Sequence, residues 1–126
     1  MHWQWRLRNV EKLASQLDPE RFGVNAFYVF GSVKNALAGP GSDIDILIHF
    51  IGTEDQKHDL LTWLEGWSLS LSQINFYRTG EKTEGLLDVH IVTDEDIKNR
   101  NSYAIKIGAT SDPARLLPIG TALIKK

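Results

Sequence analysis

The stretch Tyr28-Val-Phe-Gly-Ser32 closes a short apolar run, and after ten further residues Asp43-Ile-Asp45-Ile-Leu-Ile48 opens a second one. Side chains of an extended strand alternate between two faces, so Asp43 and Asp45 share one face and the isoleucines take the other. Two carboxylates ~4 Å apart repel by about 4 kcal/mol at an effective dielectric of about 20. A pair of aspartates at the mouth of a buried strand therefore indicates a cation-binding site.

The spacing also predicts how the two runs meet. For the end of the first strand to reach the start of the second, the strands must run antiparallel, with the connection folded over their shared end. We expect Ser32 to cap a short helix over residues 33–37, and Gly31 to allow close approach of a backbone or a ligand. N–H groups at that helix start would form an anion site opposite the aspartates. A nucleoside triphosphate with magnesium requires both sites.

Helical periodicity appears on either side of these strands. Apolar residues recur at helical spacing from Trp3 to Leu17, although the alternation over residues 3–7 also permits a short strand. Thr53 with Gln56 forms a capping-box pattern that begins a second, longer helix. Between the two strands we expect a mobile turn over residues 38–42.

A third strand is predicted over residues 86–92. Because a helical crossover precedes it, it should run parallel to the second strand through a right-handed connection. Asp88 would then lie at the same end of the sheet as Asp43 and Asp45. The predicted fold is a single α/β (α+β) domain over residues 1–126. It has a small mixed sheet with an antiparallel first pair, a helical crossover to a parallel third strand, and helices packed on the sheet.

Two later features leave alternatives open. His90 shares a face with Asp88, so it could orient a carboxylate, touch a substrate, or be a hydrogen-bonded structural histidine. Residues 102–107 could form an edge strand, and nearby Lys98, Arg100 and Lys106 could bind phosphate or be ordinary solubilising charges.

The combination of Gly31-Ser32 with Ser42-Asp43-Ile44-Asp45 between apolar strands resembles the nucleotidyltransferase superfamily related to DNA polymerase beta. It is most similar to the minimal, single-domain members, and the resemblance covers about residues 26–92. The family pattern also has a third carboxylate on a later strand, which Asp88 matches. Many relatives carry Arg-Gly soon after the Gly-Ser pair. Here Lys34 stands in that region and would replace the arginine only as a point charge.

The resemblance implies metal-dependent transfer of a nucleotide, AMP from ATP, to a hydroxyl or phosphate acceptor. Asp45 would bridge two Mg²⁺ (or Mn²⁺) ions, and Asp88 would ligate the ion on the acceptor side. The implied catalytic and metal-binding residues are Asp43, Asp45 and Asp88. The implied nucleotide-binding residues are Gly31, Ser32, Lys34 and Ser42.

The amino-acid composition excludes several classes of function. The 126 residues include no cysteine, which excludes disulfides, thiolate catalysis and cysteine-ligated zinc. The formal net charge of −2 argues against a surface for bulk nucleic-acid binding. No apolar run approaches the ~20 residues of a membrane helix, and no secretory signal opens the sequence, so we expect a cytoplasmic domain.

Three other interpretations remain open from sequence. The chain could be a nucleotide-binding or regulatory module that has lost turnover. It could be the antitoxin-type half of a two-protein pair, whose acceptor is a tyrosine or similar hydroxyl on the partner protein. The aspartates could also be an acidic strand start with no chemistry.

Overall fold

A four-stranded mixed sheet with strand order β3-β2-β1-β4 organises the chain in the computed structural model, which describes residues 1–123. The first strand, β1, is antiparallel to β2, and β2 is parallel to β3, as the sequence predicts. The fourth strand pairs antiparallel with the other side of β1. The strands are β1 (Val24–Phe30), β2 (Ile44–Phe50), β3 (Leu87–Val92) and β4 (Arg115–Leu117).

Five α-helices and one 3₁₀ helix surround the sheet in the described part of the chain. The first helix confirms the helical interpretation of the N-terminal pattern, and the predicted capping box begins α4. There Thr53 Oγ1 accepts a hydrogen bond from the Gln56 N–H at 3.2 Å, and Gln56 Oε1 accepts from the Thr53 N–H at 2.9 Å. The helices are α1 (His2–Gln16), α2 (Pro19–Phe22), α3 (Gly31–Lys34), α4 (Glu54–Thr79), α5 (Asp94–Lys98) and the 3₁₀ helix (Ala104–Lys106).

The two faces of the sheet bury different sets of side chains. Alternate residues Ile44, Ile46 and Ile48 of β2 belong to the main core, which α1 and α4 complete on that face. On the opposite face Leu47 belongs to a smaller cluster with Val92 and small residues from the C-terminal third of the chain. Because Asp45 alternates with Ile44 and Ile46, it lies on this second face, toward the C-terminal segment.

Two sequence predictions about local structure are wrong. Residues 102–107 contain a 3₁₀ helix in place of an edge strand, since Asn101 Oδ1 accepts from the N–H groups of Tyr103 (3.2 Å) and Ala104 (2.8 Å) and turns the backbone. The edge strand beside β1 is β4, which comes from a tail whose sequence has no readable period. The helix after β1 begins at Gly31, so Ser32 lies inside it and does not cap it.

No helix among residues 1–123 combines the length and the hydropathy needed to cross a membrane.

Candidate active site

The register of the sheet places two carboxylates side by side. On β2, Asp45 is paired with Phe30 of β1 on one side and with Asp88 of β3 on the other. His90 follows two residues later on the same face of β3. Asp45, Asp88 and His90 each offer one ligand atom, and these three atoms lie within 4.8 Å of one another. The predicted meeting of Asp45 and Asp88 is therefore present, with His90 as a third member.

The ionised form of Asp45 is disfavoured by this arrangement. Its pKa is raised from 3.8 to about 6, first because burial disfavours the charged form and next because Asp88 shares a hydrogen bond with it. The negative charges of Asp88 and Asp43 raise the pKa of Asp45 further, and His90 opposes them. A bound cation would relieve this repulsion, since it favours the ionised form of all three carboxylates.

Gly31 makes room for the Asp45 carboxylate. Its φ of +70° is in the left-handed region, and a Cβ atom at this position would overlap Asp45 Oδ2. The close approach predicted for Gly31 is thus made by a side chain of the site itself. The helix that begins at Gly31 is only four residues long, so any phosphate at Ser32 would depend on individual N–H groups and the hydroxyl.

Asp43 lies just outside the three-residue group. It precedes β2 and is exposed, yet it remains close enough to contribute to the electrostatics of the pair. The pKa of Asp43 is raised by partial burial and by Asp88, and it is lowered by Arg6. The structure therefore brings Asp45 and Asp88 together with His90, and leaves Asp43 at the rim.

Two of the predicted nucleotide-binding residues make contacts within the protein. The Lys34 Nζ lies 2.9 Å from Asp112 Oδ1, which also accepts from Asn35 Nδ2 at 3.2 Å, and these bonds lower the pKa of Asp112. The Ser42 hydroxyl accepts from the Gly39 N–H at 2.9 Å. A nucleotide-binding role for Lys34 and Ser42 stays a prediction.

An aromatic group orients His90. Its Nε2 lies 3.2 Å from Asp88 Oδ2, and its ring stacks on Tyr103 with centroids 4.0 Å apart. Phe30, the residue before Gly31, packs against the same ring at 5.7 Å. Sequence reasoning missed Tyr103 because the edge-strand prediction gave its side chain no relation to the site.

Two buried side chains hold the turn that sequence analysis predicts as mobile. Arg6 donates to the carbonyl oxygens of Pro40 and Ser42, and Asn75 Nδ2 donates to Pro40 O at 2.9 Å. Both residues were missed, since nothing local in α1 or α4 marks a polar side chain that is to be buried.

These ligand atoms fit a divalent cation. Carboxylate oxygens suit Mg²⁺ and Mn²⁺, and imidazole nitrogen is a ligand for several transition metals. Asp45 and Asp88 lie on neighbouring strands of a sheet, which fixes their backbones, and stacking holds the His90 ring.

The family model described as a nucleotidyltransferase domain matches residues 7–113. The chain belongs to the nucleotidyltransferase family. The match includes β1, β2, β3 and the whole of α4, and it includes Asp43, Asp45, Asp88 and His90. As a nucleotidyltransferase, the chain is a transferase of phosphorus-containing groups. No curated protein and no solved structure gives a significant match to it.

Proposed function

We propose that this nucleotidyltransferase moves AMP from ATP to a hydroxyl or phosphate acceptor, with Mg²⁺ or Mn²⁺ as its cofactor. The observation that carries the proposal is the pairing of Asp45 with Asp88 on parallel strands. Gly31-Ser32 lies on the other side of Asp45, at the end of β1. The carboxylates thus lie beside the residues that we propose to bind the phosphates, which is the arrangement that a metal–triphosphate complex requires.

Each residue has a defined role in the proposed reaction. Asp45 and Asp88 would hold the divalent ion with Asp43 at the rim, and the ion when bound would offset phosphate charge and lower the pKa of the acceptor. Gly31 and Ser32 would hold the terminal phosphates through N–H groups and a hydroxyl. The acceptor oxygen would bond to the α-phosphorus as the bond to pyrophosphate breaks and pyrophosphate leaves; where the acceptor is a hydroxyl, its proton would pass to Asp88.

His90 would support Asp88 in this reaction. With its Nε2 3.2 Å from the carboxylate and its ring stacked on Tyr103, it limits the orientations open to Asp88. Asp88 is exposed on the edge strand β3, so an acceptor at that edge could reach it, and its orientation would then affect proton transfer directly.

A second candidate is a module that binds the nucleotide without turnover. The ion pair between Lys34 and Asp112 favours it, since Lys34 stands near the usual place of the family arginine and its charge is already used. Antitoxin-type modification of a partner protein is a special case of the leading proposal, in which the acceptor is a hydroxyl on that partner.

The test is incubation with ATP labelled at the α-phosphate, with Mg²⁺ or Mn²⁺, followed by assays for pyrophosphate and for labelled product. A co-expressed neighbouring protein that gains the mass of AMP would identify the acceptor. Asp45→Asn should abolish release, and Asp59→Asn, an exposed acid on α4, should not. Binding of ATP without pyrophosphate release would favour the second candidate, and absence of binding would contradict both.

Ser32→Ala should weaken ATP binding modestly, because backbone N–H groups carry part of the contact. A hydrogen bond to a charged group contributes about 1.5–3 kcal/mol, which sets the upper limit of the loss. Calorimetric titration with ATP and Mn²⁺ measures it, with the exposed Ser70→Ala on α4 as the control. Unchanged affinity in Ser32→Ala would remove Ser32 from the site.

A further inference from the structure

Arg6 of α1 has no exposed surface, and its guanidinium donates to four oxygen atoms. Its Nε donates to Ser42 O at 2.9 Å, and Nη2 donates to Pro40 O at 3.0 Å and to Asn75 Oδ1 at 3.1 Å. The fourth bond runs from Nη1 to His2 O at 3.4 Å. Asn75 is also fully buried, and it donates to the same Pro40 oxygen at 2.9 Å.

These acceptors are neutral, which is unusual for a buried cation. None of the salt bridges among residues 1–123 includes Arg6. A buried charge is costly unless hydrogen bonds or an opposite charge compensate it. The charged groups that influence Arg6 are Arg78, which repels it, and Asp43, which attracts it. Because the guanidinium donates to Pro40 O and Ser42 O, its positive charge lies against the turn that leads to Asp43.

Asp43 is the aspartate that most needs such support. The backbones of Asp45 and Asp88 are fixed by strand pairing, whereas Asp43 precedes β2 and depends on the turn before it. The Ser42 carbonyl that Arg6 binds belongs to the peptide group joining Ser42 to Asp43. The bond to Ser42 O thus acts on the backbone immediately before the Asp43 side chain.

We propose that Arg6 and Asn75 are positioning residues that hold the turn so that the Asp43 carboxylate stays beside the Asp45–Asp88 pair. In doing so they set the affinity of the site for its divalent ion, and this part rests on the proposed function. The planar fork of arginine is essential, because two nitrogens must reach carbonyls two residues apart. Lysine carries the same charge without that fork.

The experiment measures Mn²⁺ affinity by calorimetry for the wild type, Arg6→Lys, Arg6→Met and Asn75→Ala. Loss of a supporting group behind a metal ligand lowers metal affinity by about tenfold or more. We expect that loss in all three variants. The control is Arg78→Met, since Arg78 lies over the same Trp5 ring as Arg6, at 4.7 Å, but is exposed. Wild-type affinity in Arg6→Lys would show that the fork is irrelevant and overturn the proposal.

A double-mutant cycle tests whether the effect passes through Asp43. In an Asp43→Asn background, Arg6→Lys should cause little further loss of Mn²⁺ affinity, because the carboxylate that it positions is already gone. An equal loss in both backgrounds would make Arg6 a general structural residue and overturn the proposal. If Arg6→Met does not fold, Asn75→Ala, in which Arg6 is intact, still tests the proposal.

Hydrogen exchange separates this inference from the proposed function. In metal-free protein, Arg6→Lys and Asn75→Ala should speed amide exchange at Gly39 and Ser42, whose N–H groups bond within the turn. Unchanged exchange would mean that the turn holds itself, against the proposal. A wild type that binds no Mn²⁺, with or without ATP, contradicts the proposed function. If the wild type binds Mn²⁺ and Arg6→Lys binds it with the same affinity, only the inference is contradicted.

Discussion

Asp45→Asn is expected to unfold at a higher temperature than the wild type in EDTA, and to lose most of the stabilisation that Mn²⁺ with ATP gives. Asparagine keeps the shape of the side chain and removes the charge that burial, Asp88 and Asp43 all disfavour. The wild type should gain ~2.7 kcal/mol when the ligand is at a hundredfold excess over its dissociation constant. This opposite effect on stability and on binding is typical of functional sites.

The stability difference between Asp45→Asn and the wild type should depend on pH. The pKa of Asp45 rises from 3.8 to about 6 in the fold, so its contribution to stability is complete below pH 3.8 and is lost as pH rises through 6. The advantage of Asp45→Asn in EDTA should therefore be absent near pH 4 and largest above pH 7. We expect about 1–2 kcal/mol there, since solvent screens part of the repulsion at this partly buried group.

Melting curves check the prediction: wild type and Asp45→Asn are each measured with EDTA and with Mn²⁺ plus ATP, at pH 8 and again at pH 4.5. Asp94→Asn, an exposed acid at the start of α5, is the matched control and should respond to Mn²⁺ as the wild type does. An Asp45→Asn protein that melts lower in EDTA and responds fully to the metal would make Asp45 a structural residue. The proposed function would then lose its central ligand.

Gly31→Ala should be the most damaging small substitution at the site. Alanine at φ +70° costs about 1–2 kcal/mol, and its Cβ would force the Asp45 carboxylate away from its position. A displacement of about 1 Å can lower a rate about a hundredfold, so pyrophosphate release should fall by at least that factor.

Gly66→Ala is the matched control for Gly31→Ala. Gly66 lies inside α4, and a Cβ there would meet nothing within 4 Å. Because alanine favours a helix interior over glycine by about 1 kcal/mol, this substitution should raise stability and leave activity unchanged. Denaturant unfolding and the pyrophosphate assay measure both variants. Wild-type activity in Gly31→Ala would show that Asp45 can move without loss, against the proposed role of Asp45.

Much of the fold was predictable because its signals are local. The apolar runs of β1 and β2, the capping box of Thr53 and Gln56, and the crossover rule together predict three strands and their directions. They also predict that Asp88 lies at the end of the sheet that holds Asp45, since a parallel strand after a helix can start only there. The prediction does not need the family resemblance.

Contacts between residues far apart in the chain could not be predicted from the sequence. Arg6 and Asn75 meet across 69 positions, and Lys34 and Asp112 across 78, so no local pattern marks either pair. An arginine on an amphipathic helix is ordinarily exposed, and its burial follows only from where the turn at Ser42 comes to lie. The 3₁₀ helix after Asn101 depended on a side chain competing successfully for backbone N–H groups.

The order of the strands also bears on the order in which reactants can meet. Gly31-Ser32 follows β1, Asp45 lies on the inner strand β2, and Asp88 and His90 lie on β3 at the rim of the sheet. Under the proposed function, ATP would bind at the end of β1 and the acceptor would approach Asp88 from the β3 edge. Because these positions lie on opposite sides of Asp45, neither substrate would have to bind before the other, and a ternary complex could form in either sequence. Pyrophosphate could then depart while a bulky acceptor remains bound beside β3.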